Sequence, residues 1–329
     1  MKILFIDQVH PDLERLLTAE GYVCIDGSRL AENEIRQSIK EYSGIVIRSR
    51  IKIDKSFLDA GTNLQFIARA GAGMENIDVE YAVTKGIKCL PSAEGNRQAV
   101  GEHVLAMLLA LFNKLVKADK EVRNNEWLRE PNRGNELNGK TVGIIGFGMM
   151  GSAFAKTLYG FDCNMIAYDK YLPGNHFENS EKEKFPHGFA KRVSMEQLFE
   201  ETDILSLHVP LTSETKWMVD ELFINRFKKK IILINSARGK VVKTSDLVAS
   251  MKSGKVTGAC LDVIEYEDAS FEKFDLNQLK GSDAADWNYL VHSDNTVLSP
   301  HIAGWTHESN RKMAGILFEK IRMVIRGGE

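Results

Sequence analysis

Gly146, Gly148 and Gly151 stand in a Gly-x-Gly-x-x-Gly spacing, with an apolar run at 142–145 before them and a helix-compatible stretch at 152–159 after them. In that context each glycine has its own physical use. The first permits a tight turn, the second lets backbone approach a pyrophosphate, and the third lets helix and strand pack closely. Amides at the helix start, those of Met149 and Met150, then face the phosphates with the positive end of the helix dipole behind them. A second apolar run, 163–168, ends in Asp169, 18 residues beyond Gly151. A carboxylate there accepts hydrogen bonds from both ribose hydroxyls and repels a 2′-phosphate, so the motif predicts NAD rather than NADP. Lys170 beside it blurs that preference slightly.

Strands must hold such a motif in place. Short apolar runs alternate with amphipathic segments along the chain, the pattern of an α/β fold with parallel sheets. Strands are predicted at 2–6, 22–25, 44–48, 65–69 and 88–90, and again at 141–145, 164–168, 203–207, 231–234, 256–261 and 296–298. Between the two sets, 97–124 reads as one long helix. Its first half, with Val100, Val104, Leu105, Met107, Leu108, Leu109 and Leu111, is apolar nearly all round and is expected to be fully buried. At about 28 residues the helix would span ~42 Å, enough to cross between domains or serve a subunit interface. Residues 268–293 show no clean period and are expected to be irregular.

At 329 residues the chain has room for two domains, because single cores stop growing near ~250–300 residues. A net charge of −2 with both signs dispersed gives no basic footprint for nucleic acid and no polybasic patch for a membrane. An apolar run of only four residues, 3–6, precedes Asp7, too few for a signal peptide. No stretch approaches the ~18 uncharged apolar residues of a membrane span. Cys24, Cys89, Cys163 and Cys260 lie far apart in or beside apolar runs. They are expected to be buried free thiols of a reducing compartment, and no metal spacing is present. A soluble cytoplasmic protein is the expectation.

Three later segments place functional side chains at strand ends, where ligands of doubly wound sheets bind. Asn235, Arg238 and Gly239 follow the strand at 231–234, Asp262 and Glu267 follow 256–261, and Ser299, His301 and Gly304 follow 296–298. Singly, such residues are most often surface arginines, solvated acids or structural histidines. In this order behind a dinucleotide motif, the chain resembles the NAD-dependent D-2-hydroxyacid dehydrogenases over nearly its full length. The resemblance includes Arg69 to Asp78 and Glu136 to Thr141. It is strongest to the D-3-phosphoglycerate dehydrogenase branch, through Arg48-Ser49, Arg69-Ala70-Gly71 and Gly95-Asn96-Arg97.

The resemblance implies a catalytic triad of Arg238, Glu267 and His301. Arg238 would hold the substrate carboxylate in its planar fork and polarise the 2-oxygen. His301 would be the acid–base group, and Glu267 would fix its tautomer and stabilise the imidazolium. The resemblance adds His208, Pro210, Ala237, Asp262 and Gly304 to the cofactor side. It places Arg48, Arg69, Ala70, Gly71, Ala72, Asn96 and Arg129 against an anionic, possibly phosphorylated, 2-hydroxy or 2-keto acid, with Arg129 reaching a neighbouring subunit. His103 is expected to be a structural hydrogen-bonder.

The implied architecture is two doubly wound parallel-sheet domains with a cleft between them. The flavodoxin-like substrate domain would be residues 1–98 plus 303–329, and the Rossmann nucleotide domain 99–302, in a homodimer or higher oligomer. Because the chain ends at Glu329, a form without the larger members' C-terminal regulatory domain, and without feedback inhibition by serine, is expected. Four positions depart from the family pattern: Asp268 follows Glu267 in place of proline, Met149-Met150 replace a polar or basic residue, Ala72 replaces a small hydroxyl residue, and Trp305 replaces a small residue. The last stretch is similar to the erythronate-4-phosphate dehydrogenases. A glyoxylate or hydroxypyruvate-type reductase, an erythronate-4-phosphate dehydrogenase and an NAD-sensing corepressor-like protein are the alternatives to phosphoglycerate oxidation.

Overall fold

In a computed structural model the described residues are 1–171, 189–267 and 279–327. They fall into two compact units, one containing Met1–Arg97 and the chain from Trp305 onward, the other containing Gln98–Glu267 and the chain up to Gly304. The first unit holds β1 (Lys2–Phe5), β2 (Val23–Asp26), β3 (Gly44–Ile47), β4 (Phe66–Arg69) and β5 (Lys88–Pro91). The second holds β6 (Thr141–Ile145), β7 (Asn164–Tyr168), β8 (Lys191–Arg192), β9 (Ile204–Leu207), β10 (Ile231–Asn235), β11 (Val256–Leu261) and β12 (Thr296–Leu298).

Both sheets are parallel throughout. The first runs in the order β2-β1-β3-β4-β5, and the second in the order β12-β11-β10-β9-β6-β7-β8. These are the two doubly wound orders, and each reverses direction beside its first strand, at β1 and at β6. Parallel strands covered by helices on both faces must be apolar on both sides. Gly44–Ile47 and Phe66–Arg69 accordingly have every residue buried. All eleven expected strands are present, and the short β8 adds a twelfth.

Three expectations are corrected. The long helix is two helices, Ala93–Phe112 and Leu115–Arg123, bent by 61° at the break. Lys114 adopts φ +50°, Asn113 returns its side-chain amide to Leu109 O at 3.0 Å, and Asn135 N caps Phe112 O at 3.0 Å. Those bonds satisfy the last carbonyls and end the helix. Its first half is also not buried all round: Val100, Val104, Met107 and Leu108 are buried, whereas Leu105, Leu109 and Leu111 are half-buried. Apolar composition alone did not report which face meets the core. Residues 281–292, expected to be irregular, form the helix Gly281–His292, while 268–278 lie outside the described residues. Among the described residues no single helix is long and apolar enough to cross a membrane. Of the four free cysteines Cys260 is fully buried and the other three are half-buried.

Candidate active site

The glycine turn follows β6 and has the shape a dinucleotide needs. Gly146 takes φ +86°, and a Cβ there would meet His208 O at 2.5 Å. A Cβ at Gly151 would collide with Gly146 O, whereas at Gly148 it would meet nothing within 4 Å. Space is therefore left open only at the middle glycine, where a phosphate must approach. Helix Met149–Thr157 starts there with no side-chain cap on its first amides, so those donors suit an anion. The Met149 side chain is exposed and Met150 packs on the core, which leaves backbone amides as the phosphate donors. Asp169 ends β7 with its carboxylate beside the turn: Phe147 N donates to Oδ2 at 2.7 Å and Tyr171 N to Oδ1 at 2.9 Å. The chain therefore fits a nicotinamide dinucleotide.

If Asp169 receives the ribose hydroxyls, as its place at the end of the second strand of the motif predicts, Asp169→Ala is expected to weaken NADH binding and to narrow its advantage over NADPH. Fluorescence titration with both nucleotides checks this. An unchanged NADH/NADPH ratio would rule out the ribose role.

The other chemistry lies after β10, β11 and β12, which are neighbours in one sheet. His301 Nδ1 and Glu267 Oε2 are 2.7 Å apart. The second oxygen, Glu267 Oε1, accepts from Ile264 N, and Glu267 N closes the turn onto Ile264 O at 3.1 Å. A carboxylate held this way can accept a hydrogen bond from Nδ1–H and so fix the tautomer of the imidazole.

His301 has φ +56°, a conformation that persists in a bulky residue only where the surroundings impose it. Asp262 imposes it. Its backbone oxygen accepts from His301 N at 2.7 Å, and its carboxylate accepts from Ser299 Oγ at 2.6 Å, Ile302 N at 2.9 Å and Ala303 N at 2.9 Å. His103 Nε2 lies 2.9 Å from Ser299 Oγ and 3.5 Å from Asp262 Oδ1. These bonds outweigh burial and keep the Asp262 carboxyl below its ordinary range. Asp262 is thus a buried anchor of the His301 loop. His103 and Ser299 join it through contacts nearly 200 residues apart in sequence, which no local pattern could signal.

Arg238 follows β10 and is half-buried, with Nη1 2.6 Å from Ala237 O. Asn235 shapes its loop, accepting from Ala237 N at 3.1 Å and donating to Arg238 O at 3.0 Å. Ala237 is buried in that turn, and a Cβ at Gly239, the residue after Arg238, would collide with Ile264 O. The loops bearing Arg238 and Glu267 are therefore packed backbone to backbone. Gly304 closes the segment after His301, and Pro210 is exposed after β9, its carbonyl capped by Thr215 Oγ1 at 2.6 Å.

His208 lies at the end of β9 beside Gly146. Its Nε2 is 2.8 Å from Ser206 Oγ, and Nδ1 is buried with no hydrogen-bond partner among the described residues. Burial pushes this imidazole down to about 3 from 6.5. The unfolded chain therefore binds a proton near pH 6.5 that the folded chain refuses, and stability falls as pH drops from 6.5 toward 3. At pH 5 this one group costs about 2 kcal/mol. His208→Gln keeps the bond to Ser206 and removes the titration, so the difference in urea midpoint between pH 7 and pH 5 should shrink. An unaltered difference would show that His208 does not control acid sensitivity.

In the first unit, Arg48 and Arg69 stand at the ends of neighbouring strands, with Ile47 paired to Arg69. Arg48 N donates to Asp7 Oδ2 at 2.5 Å, and its guanidinium lies 3.8 Å from the centroid of the Trp305 ring. Arg69 is buried, with Nη1 2.9 Å from Ala70 O, and its guanidinium occupies the space a side chain at Gly71 would need. Gly71 N donates to Ser92 Oγ at 3.0 Å, Ala70 is buried and Ala72 is half-buried. Asn96 lies within helix Ala93–Phe112 rather than at its start, and its Oδ1 is buried without a partner among the described residues. Arg129 belongs to the second unit and is exposed.

A glycine turn shaped for a dinucleotide and a carboxylate-backed imidazole on the same sheet define a nucleotide-dependent dehydrogenase. Comparison with known proteins agrees. Residues 105–303 match the family described as D-isomer specific 2-hydroxyacid dehydrogenase, NAD binding domain. The chain is 31% identical to the D-3-phosphoglycerate dehydrogenase of Archaeoglobus fulgidus, covering 99% of this chain and 58% of that one. It is 32% identical to the hydroxypyruvate reductase of Thermotoga maritima, covering 96% and 95%. It thus spans less than two thirds of the phosphoglycerate dehydrogenase and nearly all of the reductase. Among solved structures it is similar to D-lactate dehydrogenase from Aquifex aeolicus complexed with NAD and lactic acid, with a TM-score of 0.79, 27% identity and coverage of 99% and 96%. The chain belongs to the D-isomer-specific 2-hydroxyacid dehydrogenases, a family of NAD-dependent oxidoreductases acting on small 2-hydroxy and 2-keto acids.

Proposed function

We propose that this chain interconverts D-3-phosphoglycerate and 3-phosphohydroxypyruvate with NAD, at the entry to serine synthesis, as a cytoplasmic homodimer. The observation that carries the reaction type is the 2.7 Å contact between His301 and Glu267, anchored in the same sheet as Arg238. His301 Nε2 takes the proton of the substrate hydroxyl, and Glu267 stabilises the imidazolium that forms. Arg238 holds the carboxylate and polarises the 2-oxygen. NAD, when bound, supplies the acceptor for the hydride that leaves C2. In the opposite direction the protonated imidazole returns the proton to the carbonyl oxygen. The unit built from Met1–Arg97 and the chain after Gly304 serves as the substrate domain, and the adjacent strand ends that carry Arg48 and Arg69 give it cationic groups suited to an anionic substrate.

The hydroxypyruvate reductase that this chain matches nearly end to end favours a second reading: reduction of unphosphorylated 2-keto acids, in which Trp305 restricts the pocket. NADH oxidation with 3-phosphohydroxypyruvate, 2-keto-3-hydroxy-4-phosphobutyrate, hydroxypyruvate, glyoxylate and pyruvate separates the two. A preference for 3-phosphohydroxypyruvate of about tenfold or more, ~1.4 kcal/mol, supports the first. A profile led by the unphosphorylated acids would replace it with the second.

A further inference from the structure

Trp217 is a bulky aromatic residue held at φ +54°. A left-handed conformation in such a residue is strained and persists where neighbouring contacts over-determine it. Two contacts do so. Its backbone N donates to Lys240 O at 2.7 Å, two residues beyond Arg238. Its indole Nε1 donates to Glu265 Oε1 at 2.6 Å, two residues before Glu267.

The remaining bonds make this a closed frame. Glu265 Oε2 accepts from Thr244 N at 2.8 Å, at the start of helix Thr244–Lys252, whose N-cap residue offers no side-chain bond. Val219 N donates to Val241 O at 3.0 Å, and Lys243 N returns to Val219 O at 3.0 Å. The segment carrying Trp217 is therefore zipped to the chain that follows Arg238. Its indole reaches across to the turn that presents the Glu267 carboxylate. Indole N–H to carboxylate is a charge-assisted bond, stronger and more directional than a neutral one. Trp217 is 44% exposed, so burial is not its main contribution.

We propose that Trp217 is a positioning residue which, through Glu265, locks the loops of Arg238 and Glu267 in register, so that the His301–Glu267 bond is formed before substrate arrives. This rests on the triad roles given above for Arg238, Glu267 and His301. The same two segments also meet through Thr244 N on Glu265 Oε2 and through the backbone packing of Gly239 on Ile264, so the indole bond acts on loops already in contact.

The test uses Trp217→Phe, which keeps a ring but removes the N–H, Glu265→Gln, which keeps an acceptor but removes the charge, and the double variant. Turnover of 3-phosphohydroxypyruvate, NADH affinity, thermal midpoint and the low-field proton resonance of the His301 ring are measured. Trp217→Phe should lower kcat about tenfold, in keeping with the steep geometric demand of catalysis. NADH affinity should stay within about twofold, and the His301 resonance should broaden or vanish. Glu265→Gln should lose less, and the double variant should be no worse than Trp217→Phe, since both remove one interaction. An unchanged kcat and resonance in Trp217→Phe, additive losses, or NADH affinity and thermal midpoint falling in step with kcat would each overturn the proposal. Because the resonance needs no turnover, a wild-type chain that binds NADH but reduces no 2-keto acid would refute the catalytic reading while still testing the tie.

Discussion

His301→Ala is expected to lower kcat by ~10²–10⁴-fold, the usual contribution of a positioned acid–base group, while NADH affinity changes by no more than about twofold. The separation follows from where the imidazole is tied. Nδ1 is engaged by Glu267, and the loop is held from behind by the buried Asp262. Removing the ring leaves those backbone bonds to Asp262 in place, so the sheet edge and the distant glycine turn should persist. Stopped-flow reduction with the preferred 2-keto acid and fluorescence titration with NADH make the comparison. Loss of NADH binding in step with turnover would show that His301 maintains the nucleotide site and is not the base.

Gly239→Ala carries the second large effect. One methyl group there must displace the Ile264 carbonyl, because backbone rather than a yielding side chain occupies the position. The displaced segment closes onto Glu267 through Ile264 N and O, so the shift reaches the carboxylate that orients His301. A misplacement of about 1 Å can cost ~10²-fold in rate. We therefore expect kcat to fall about a hundredfold, with a thermal midpoint lowered by only a few degrees. A variant with wild-type kcat would show that the two loops tolerate separation.

The strands and glycine turn were legible in the sequence because their causes are local. Parallel strands covered on both faces must be apolar along their length, and a phosphate turn needs glycine at fixed offsets. Arg238, Glu267 and His301 were legible as candidates because each follows an apolar run in the order, behind a dinucleotide motif, that the dehydrogenase family shares. The break at Lys114 was not. The sequence there is helix-compatible throughout, and the stop is made by Asn135 returning to the end of the helix at Phe112. Nor was Asp262 as the anchor of His301, nor Trp217 bonding to Glu265 across 48 residues.

What the sequence determined by itself is the set of parts: two series of parallel strands, a dinucleotide turn with Asp169, and an arginine, an acid and a histidine after successive strand runs. What only the tertiary structure decided is their alignment. The parallel order places β10, β11 and β12 side by side, which turns three distant segments into one edge. Bonds between those segments then set the His301 backbone conformation and engage its Nδ1. Spacing along a chain encodes local conformation, whereas a hydrogen bond between loops depends on strand order and register, which no window of sequence contains.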